Sequence, residues 1–332
     1  MAQDSSIQWT DKTWNPLRGC TKVSEGCRNC YAMSVAYRFS GKGLPYEGLA
    51  KKGADGRAVW TNKITLLEDA LTQPMHWKKP QKIFVNSMSD LFHPDVPFEF
   101  IDKVFAVMAL CPQHTFQVLT KRPGRMRDFT TYESTPARIA TAMFAILKEL
   151  GIDPKKRVPE MYHSNGMCKS GSDGIEYPLP NAHLGTSVEN QATADERLHD
   201  LCACPAAVRF VSYEPALGAV DFHQHLWRYG NVEDAPGWLL NDTGGAGDFM
   251  QPDTRLDWII VGGESGKDAR PFNVAWAYDT LYQCKRAGVA CFVKQFGAKP
   301  YYKEAPLVLK DKHGADWDEW PHDLRVRQFP NA

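Results

Sequence analysis

The sequence predicts an α/β fold, a full or partial (β/α) TIM-like barrel of parallel strands. Two observations carry that expectation. Short apolar runs rich in β-branched and aromatic residues alternate with amphipathic helical stretches, as strands covered on both faces should. Each run then hands over to polar or charged residues at its carboxyl end, the end at which α/β barrels and open α/β sheets bind ligands. A doubly wound sheet fits the same repeat. No G-x-G-x-x-G follows the early runs, which weakens its dinucleotide-binding form.

The elements follow in order. Residues 14–20 are the candidate first strand. Residues 83–85, 116–119, 183–187, 208–211, 258–261 and 291–293 supply six more. Phe98, Ile101, Val104, Phe105 and Met108 recur at helical spacing, after a cap at Asp95 and with Pro97 near the first turn. Ile139, Met143, Ile146, Leu147 and Leu150 repeat the pattern and stop at Gly151. Asn273 caps a helix carrying Ala277, Leu281 and Cys284 that ends at Gly288. Residues 41–62, 153–180 and 229–255 break the repeat and read as loop insertions. Residues 1–298 thus read as one decorated barrel. Residues 299–332, with Trp317, Trp320 and Phe329, read as a C-terminal extension packed on it.

Composition narrows the class. The chain has 332 residues, and its 39 Lys and Arg balance 39 Asp and Glu. Zero net charge argues against coating nucleic acid by bulk charge but leaves room for a local basic groove. Hydrophobic content of 43% and charged content of 23% exclude a disordered or collagen-like chain. No apolar run approaches the roughly 20 residues of a membrane span. The first residues show no basic region followed by an apolar one, so the expected location is the cytoplasm. Nine cysteines, an odd number without a secretory signal, fit reduced thiols rather than a disulfide framework.

Three of the nine fall within eleven residues: Cys20, Cys27 and Cys30, spaced C-x6-C-x2-C beside Gly19 and Gly26. Thiolates two residues apart reach one metal centre from a tight turn, and a third on the same loop closes a face. Structural zinc would want a fourth ligand, and no second C-x2-C pair exists. His199, Cys202 and Cys204 form a remote set, but at a helix end, where packing explains them. A [4Fe–4S] cluster on three cysteines fits better, leaving one iron open to substrate or cofactor. Three unliganded thiols are the remaining reading.

The triplet in its Gly-Cys…Gly-Cys-x-x-Cys-Tyr-Ala form, followed by βα units, resembles the radical S-adenosylmethionine (SAM) enzymes. It is most similar to the branch containing spore photoproduct lyase and related DNA-repair proteins. A closer resemblance, to a phage-associated family of three-cysteine proteins, runs from about Ile7 to Gly297. It is carried by Ile7-Gln8-Trp9-Thr10, Thr13-Trp14-Asn15-Pro16, the segment from Val85 to Phe92, Leu119-Thr120-Lys121-Arg122-Pro123 and Gly262-Gly263-Glu264-Ser265-Gly266. The resemblance implies a [4Fe–4S] cluster on Cys20, Cys27 and Cys30, with SAM chelating the fourth iron. It implies reductive cleavage of SAM to a 5′-deoxyadenosyl radical, fed by a flavodoxin- or ferredoxin-like electron donor. By analogy with the characterised branch, the substrate would be DNA, RNA or a nucleotide. The chain departs from the superfamily in three places. Its first cysteine gap holds six residues rather than three. Asn29 stands where an aromatic usually precedes the third cysteine. Its Gly-Gly-Glu, residues 262–264, comes far later than the motif that holds the SAM amino group. On position, Ser87, Ser89 and Asp90 are better candidates for that role.

Other residues at the run ends complete the candidate set. Lys121 and Arg122, with Arg125 and Arg127 beyond, could hold a carboxylate or phosphate, or form a solvated basic loop. Ser187, Glu189 and Asn190, and also Glu214, could meet ribose hydroxyls or donate protons; helix capping is the plain alternative, above all for Asn190. Gly262 and Gly263 allow close backbone approach beside Glu264. Lys294 and Gln295 would face substrate from the last strand. Lys121, Glu214 and Lys294 are the candidate catalytic residues. Trp9, Trp14, Trp60 and Trp77 default to core packing. No H-E-x-x-H, G-x-S-x-G or Walker loop supports a hydrolase or NTPase. Two further classes stay open: a radical enzyme acting on a small metabolite, and a non-catalytic, metal-stabilised nucleic-acid-binding or partner protein.

Overall fold

The structure is a computed structural model that describes Ser5 and residues 7–161, 175–226 and 255–330. Seven parallel strands form the main sheet, and their spatial order is their chain order. They are β1 (Lys12–Trp14), β2 (Lys82–Val85), β3 (Thr115–Thr120), β4 (Ala182–Ser187), β5 (Val208–Tyr213), β6 (Trp258–Gly262) and β7 (Ala290–Gln295). β1 and β7 are not paired with each other. The sheet is therefore a curled half-barrel, and of the two expected forms the partial one matches the topology.

Six of the seven strands fall on the apolar runs. The first differs. β1 ends at Trp14, and Leu17–Arg18 leaves the sheet to pair antiparallel with Thr65–Leu66. Pro16 lies between the two, where a residue without an N–H interrupts a ladder. Helix α1 (Tyr31–Arg38) packs on the strands Ala50–Lys52 and Ala58–Trp60, while α2 (Phe98–Ala109), α3 (Pro123–Thr130), α4 (Thr135–Glu149), α5 (Gln191–Cys202) and α6 (Val274–Ala287) cover the outer face. α2 packs on α4, and α3 on α5. α6 starts where Asn273 accepts from the Ala275 amide at 3.0 Å and stops at left-handed Gly288. α2 starts at Pro97 without a side-chain cap, so Asp95 does not serve as one.

Alternation along the strands separates two cores. Ile83, Val85, Phe116, Val118, Leu184, Val211, Ile259 and Val293 face the helices. Phe84, Phe210, Trp258, Ile260 and Phe292 face the concave interior, where Trp9 joins them. The Trp9 ring lies 5.0 Å from Phe84 and 6.1 Å from Trp258, both edge-on. Phe329, from the other end of the chain, lies 5.5 Å from both Trp258 and Phe292. Aromatic side chains thus fill the concave face of the half-barrel. Trp320 stacks on Phe296 at 4.5 Å, so the segment after β7 lies against the sheet.

The insertions differ from simple loops. Within 41–62, Ala50–Lys52 and Ala58–Trp60 pair as an antiparallel hairpin. Within 153–180, Pro154–Arg157 forms one helical turn. The remainder of that segment around Cys168 lies outside the described residues, as does nearly all of 229–255 with its Asp242–Asp248 stretch. No helix among the described residues is long and apolar enough to cross a membrane.

Candidate functional site

The three cysteines share one wall at the carboxyl rim of the sheet. Gly19 opens the loop at φ +93°, where glycine is favoured, and a Cβ there would also lie 2.1 Å from the Lys63 carbonyl oxygen. Ser24 turns the chain, and the Cys27 amide donates to its carbonyl at 2.9 Å. Cys30 stands at the N-cap position of α1, where its carbonyl accepts from the Met33 amide at 3.2 Å and its thiol lies near the Ala32 and Met33 amides. All three thiols are half-buried. With Thr21, Trp60, Ser87, Met88 and Ser89 they line a cavity of about 80 Å³.

The thiols sense one another. Burial, then the Asp90 charge, pushes Cys20 up to about 12; Arg122 opposes this, and Cys30 and Cys27 add to it. Burial also raises Cys30, against the pull of the Ala32 and Met33 amides. Bare, Cys20 and Cys30 are therefore protonated at neutral pH, and a bound cationic centre would convert them to thiolates. Among the described residues no three His, Cys, Asp or Glu side chains converge on a single-ion position as they stand. Three soft sulfur donors on one wall, with helix amides behind Cys30, are a donor set that suits an iron–sulfur cluster.

Three carboxylates hold this loop, each from a different strand end. Asp90, after β2, accepts from Thr120 Oγ1 at 2.7 Å, the Lys121 amide at 3.2 Å and Arg122 Nη1 at 2.6 Å. Arg122 passes the contact on, donating to Thr21 Oγ1 at 2.6 Å beside Cys20. Glu189, after β4, accepts from Ser24 Oγ at 2.9 Å and Arg197 Nη1 at 3.0 Å, and pairs with Lys121 Nζ. A Cβ on Gly26 would lie 2.2 Å from Glu189 Oε1, so the loop crosses this carboxylate where only glycine fits. Glu264, after β6, accepts from Asn29 Nδ2 at 3.1 Å and Arg270 Nη2 at 2.7 Å, while Arg270 Nη1 donates to the Glu25 carbonyl at 2.9 Å. The cation neighbours hold Glu189 and Glu264 below the usual carboxylate range against the opposing effect of burial.

These contacts revise the roles expected of several residues. Asp90, Glu189 and Glu264 meet protein partners that brace the cysteine loop. Asn190 caps α5, accepting from the Thr193 amide at 3.1 Å. Ser87 Oγ donates to Asn15 Oδ1 at 3.2 Å and Ser89 Oγ to the Leu17 carbonyl at 3.0 Å, and both residues still line the cysteine cavity. Ser187 is buried and its carbonyl accepts from Arg197. The basic cluster disperses: Arg125 lies over Phe98 and Arg127 pairs with Asp128 and Asp200, which leaves Lys121 and Arg122 at the rim. Gly263 is a close-approach position, its Cβ place 2.2 Å from the Phe296 carbonyl oxygen, and the Gln295 side chain donates to the Gly263 carbonyl. Of the remote set, Cys204 is buried and donates to the Asp200 carbonyl, and Cys202 lies 3.8 Å from His225 Nδ1.

One charged pair takes no part in bracing the loop. Lys294 Nζ, on β7, lies 3.1 Å from Glu214 Oε1, beyond β5. Gly262 on the intervening strand makes room, since a Cβ there would lie 2.5 Å from Glu214 Oε1. Sequence reasoning missed Arg197, Arg270, Thr21 and Asn86. Asn86 follows β2 at φ +61° with both side-chain polar atoms buried and unpaired. Arg197 carried a signal: it shares a helical stripe with the buried Ala194, Leu198 and Leu201. A cation on an apolar face needs a buried anion.

Residues 4–324 match the family described as Protein of unknown function (DUF5131), and the chain belongs to it. No curated protein and no solved structure matches the chain.

Proposed function

We propose that this member of the DUF5131 family is an iron–sulfur enzyme of the radical SAM type. Cys20, Cys27 and Cys30 would hold a [4Fe–4S] cluster, and SAM would bind beside it near Ser87 and Ser89. The observation that supports this best is the bracing of the loop. Three half-buried thiols sit at the carboxyl rim of a parallel half-barrel, fixed by carboxylates from three different strand ends. A loop that carried only packing cysteines would not need three buried or half-buried ion pairs to fix it.

When bound, the cluster would supply one electron for reductive cleavage of SAM, giving methionine and a 5′-deoxyadenosyl radical. The chain's own residues bind, orient and exclude water. The Ala32 and Met33 amides stabilise negative charge at Cys30 Sγ. Asp90, Glu189 and Glu264 fix the loop so that the sulfurs keep one geometry. Glu214 and Lys294 would present an acceptor and a donor to the substrate from the ends of β5 and β7, across Gly262 on β6. A flavodoxin- or ferredoxin-like protein would deliver the electron, in the cytoplasm of a phage-associated setting.

The test is anaerobic reconstitution followed by iron and sulfide analysis. The reading expects about four iron and four sulfide per chain. It also expects 5′-deoxyadenosine from SAM after dithionite reduction, and loss of both in Cys20→Ala, Cys27→Ala or Cys30→Ala. A colourless protein holding one zinc and no sulfide would overturn it, as would a full cluster that leaves SAM intact.

A further inference from the structure

Zero net charge conceals a sharp separation. Residues 18–63 carry nine cations (Arg18, Lys22, Arg28, Arg38, Lys42, Lys51, Lys52, Arg57 and Lys63) against Glu25, Glu47 and Asp55. That segment is net +6, so the rest of the chain is net −6. All nine except Arg18 are exposed. Arg18 donates to the Pro45 carbonyl, and Arg57 lies 3.8 Å from Asp268. The other seven have no carboxylate partner among the described residues. Seven exposed cations close in sequence and unneutralised form a standing positive field.

The same segment is one structural unit around the cysteines. Ala32, Met33 and Ala36 of α1, Ala50 and Trp60 of the hairpin, and Met88 form a small core against which Cys20 and Cys30 pack. Tyr31, Tyr37 and Phe39 project from the outside of this unit, 55%, 42% and 42% exposed. The Tyr31 hydroxyl alone turns inward, to the Ser87 carbonyl at 2.6 Å. Exposed aromatic rings interleaved with unpaired cations are the pairing by which proteins hold single-stranded nucleic acid. The cations track the phosphates, and the rings stack on bases freed from a duplex.

We propose that residues 18–63 form a docking surface for single-stranded nucleic acid, which runs past the cysteine cavity. The proposal names the substrate class for the enzyme reading and rests on that reading only for what happens at the cavity. Binding itself requires no cluster. The phosphodiester chemistry is shared by DNA and RNA, and separate probes distinguish them.

The experiment measures fluorescence anisotropy of labelled oligo-dT and oligo-U, about 20 nucleotides long, with the metal-free protein across about 50–300 mM salt. The proposal expects binding whose log–log salt slope lies between about −3 and −5, from the seven free cations at roughly −0.7 per phosphate contact. Lys42→Glu, Lys51→Glu and Lys52→Glu together weaken binding about tenfold or more and flatten the slope by about 2. Tyr37→Ala and Phe39→Ala each lose roughly fivefold or more. Lys285→Glu with Arg286→Glu, at the far end of α6, leaves binding unchanged. Melting temperatures equal to wild type show that these surface variants fold. Four results would overturn the proposal: no binding of either oligonucleotide at low salt, equal loss in the α6 variant, binding of duplex but not single strands, or poly-glutamate binding as tight as oligo-dT. Oligonucleotide binding without SAM cleavage leaves the surface standing and removes the enzyme reading. SAM cleavage without oligonucleotide binding does the reverse.

Discussion

Gly26→Ala is the sharpest probe of how the cysteine loop is held. Gly26 is not among the residues with left-handed backbone, so alanine meets no intrinsic conformational penalty there. What it meets is Glu189: the new methyl would lie 2.2 Å from Oε1 and 2.7 Å from Cδ and Cγ. Carbon contacts settle at roughly 3.5 Å, so one side must move by about 1 Å. Glu189 is 1% exposed and is held by Lys121 and Arg197, and breaking a buried pair costs about 3–5 kcal/mol. The loop therefore yields instead and releases the Ser24 hydrogen bond, a loss of about 2 kcal/mol for a charged acceptor. For a chain of this size that lowers Tm by about 3 °C. The loop should open ten- to thirtyfold more readily, a factor matching about 2 kcal/mol. Thiol titration with a disulfide reagent reads this in a Cys168→Ser, Cys202→Ser background, because Cys20, Cys27 and Cys30 are half-buried, as Cys202 is, while Cys111, Cys204, Cys284 and Cys291 are buried. Shortening the carboxylate restores space, so Gly26→Ala with Glu189→Asp should be milder than the sum of the two. Unchanged melting and unchanged thiol rates in Gly26→Ala would refute the bracing argument.

Other outcomes follow from the same contacts. Glu189→Ala strands the Arg197 guanidinium, itself 1% exposed, and should cost about 3–5 kcal/mol in denaturant melts; Glu189→Ala with Arg197→Met should recover much of it. Lys294→Ala and Glu214→Gln should lower turnover about a hundredfold while iron content stays at the wild-type level, which separates a substrate-facing role from loop support. His183 lies in the interior, and burial lowers its pKa from 6.5 to about 4. The unfolded chain takes up this proton first, so the neutral ring's contribution is complete above pH 6.5 and disappears as pH falls to 4. The full effect is about 3 kcal/mol. His183→Leu should flatten the stability curve over that window in melts at stepped pH.

The strands were legible because each must be apolar on both faces, which leaves short unbroken runs such as 83–85 and 258–261. The charged rim was legible because those runs end in Asp90, Lys121, Glu189, Glu214, Glu264 and Lys294. What each of these touches was not. Asp90 meets Arg122, and Glu189 meets Ser24 from a loop 165 residues away, and such partnerships depend on strand order and register. The first strand ended early because Pro16 interrupts the ladder. The hairpin inside 41–62 was hidden because Lys51 and Lys52 lie on its exposed strand and give no apolar alternation. The whole-chain charge is silent on distribution: a sum cannot report that residues 18–63 are strongly basic and the remainder acidic.

The interior aromatic cluster also bears on how this molecule comes into being during synthesis. Trp9 and Phe329 both close on Trp258, so the trough is sealed by residues far apart in the sequence. A growing chain can pair β1 with β2 and stack its helices early, since those contacts are comparatively local. It cannot complete the cover over Trp258 and Phe292 until Phe329 has left the ribosome. Until then a greasy furrow lies open along the sheet, which makes the nascent form the one most exposed to aggregation. Completion of the interior is thus a long-range event, and loss of the Phe329 side chain would harm folding yield more than one residue suggests.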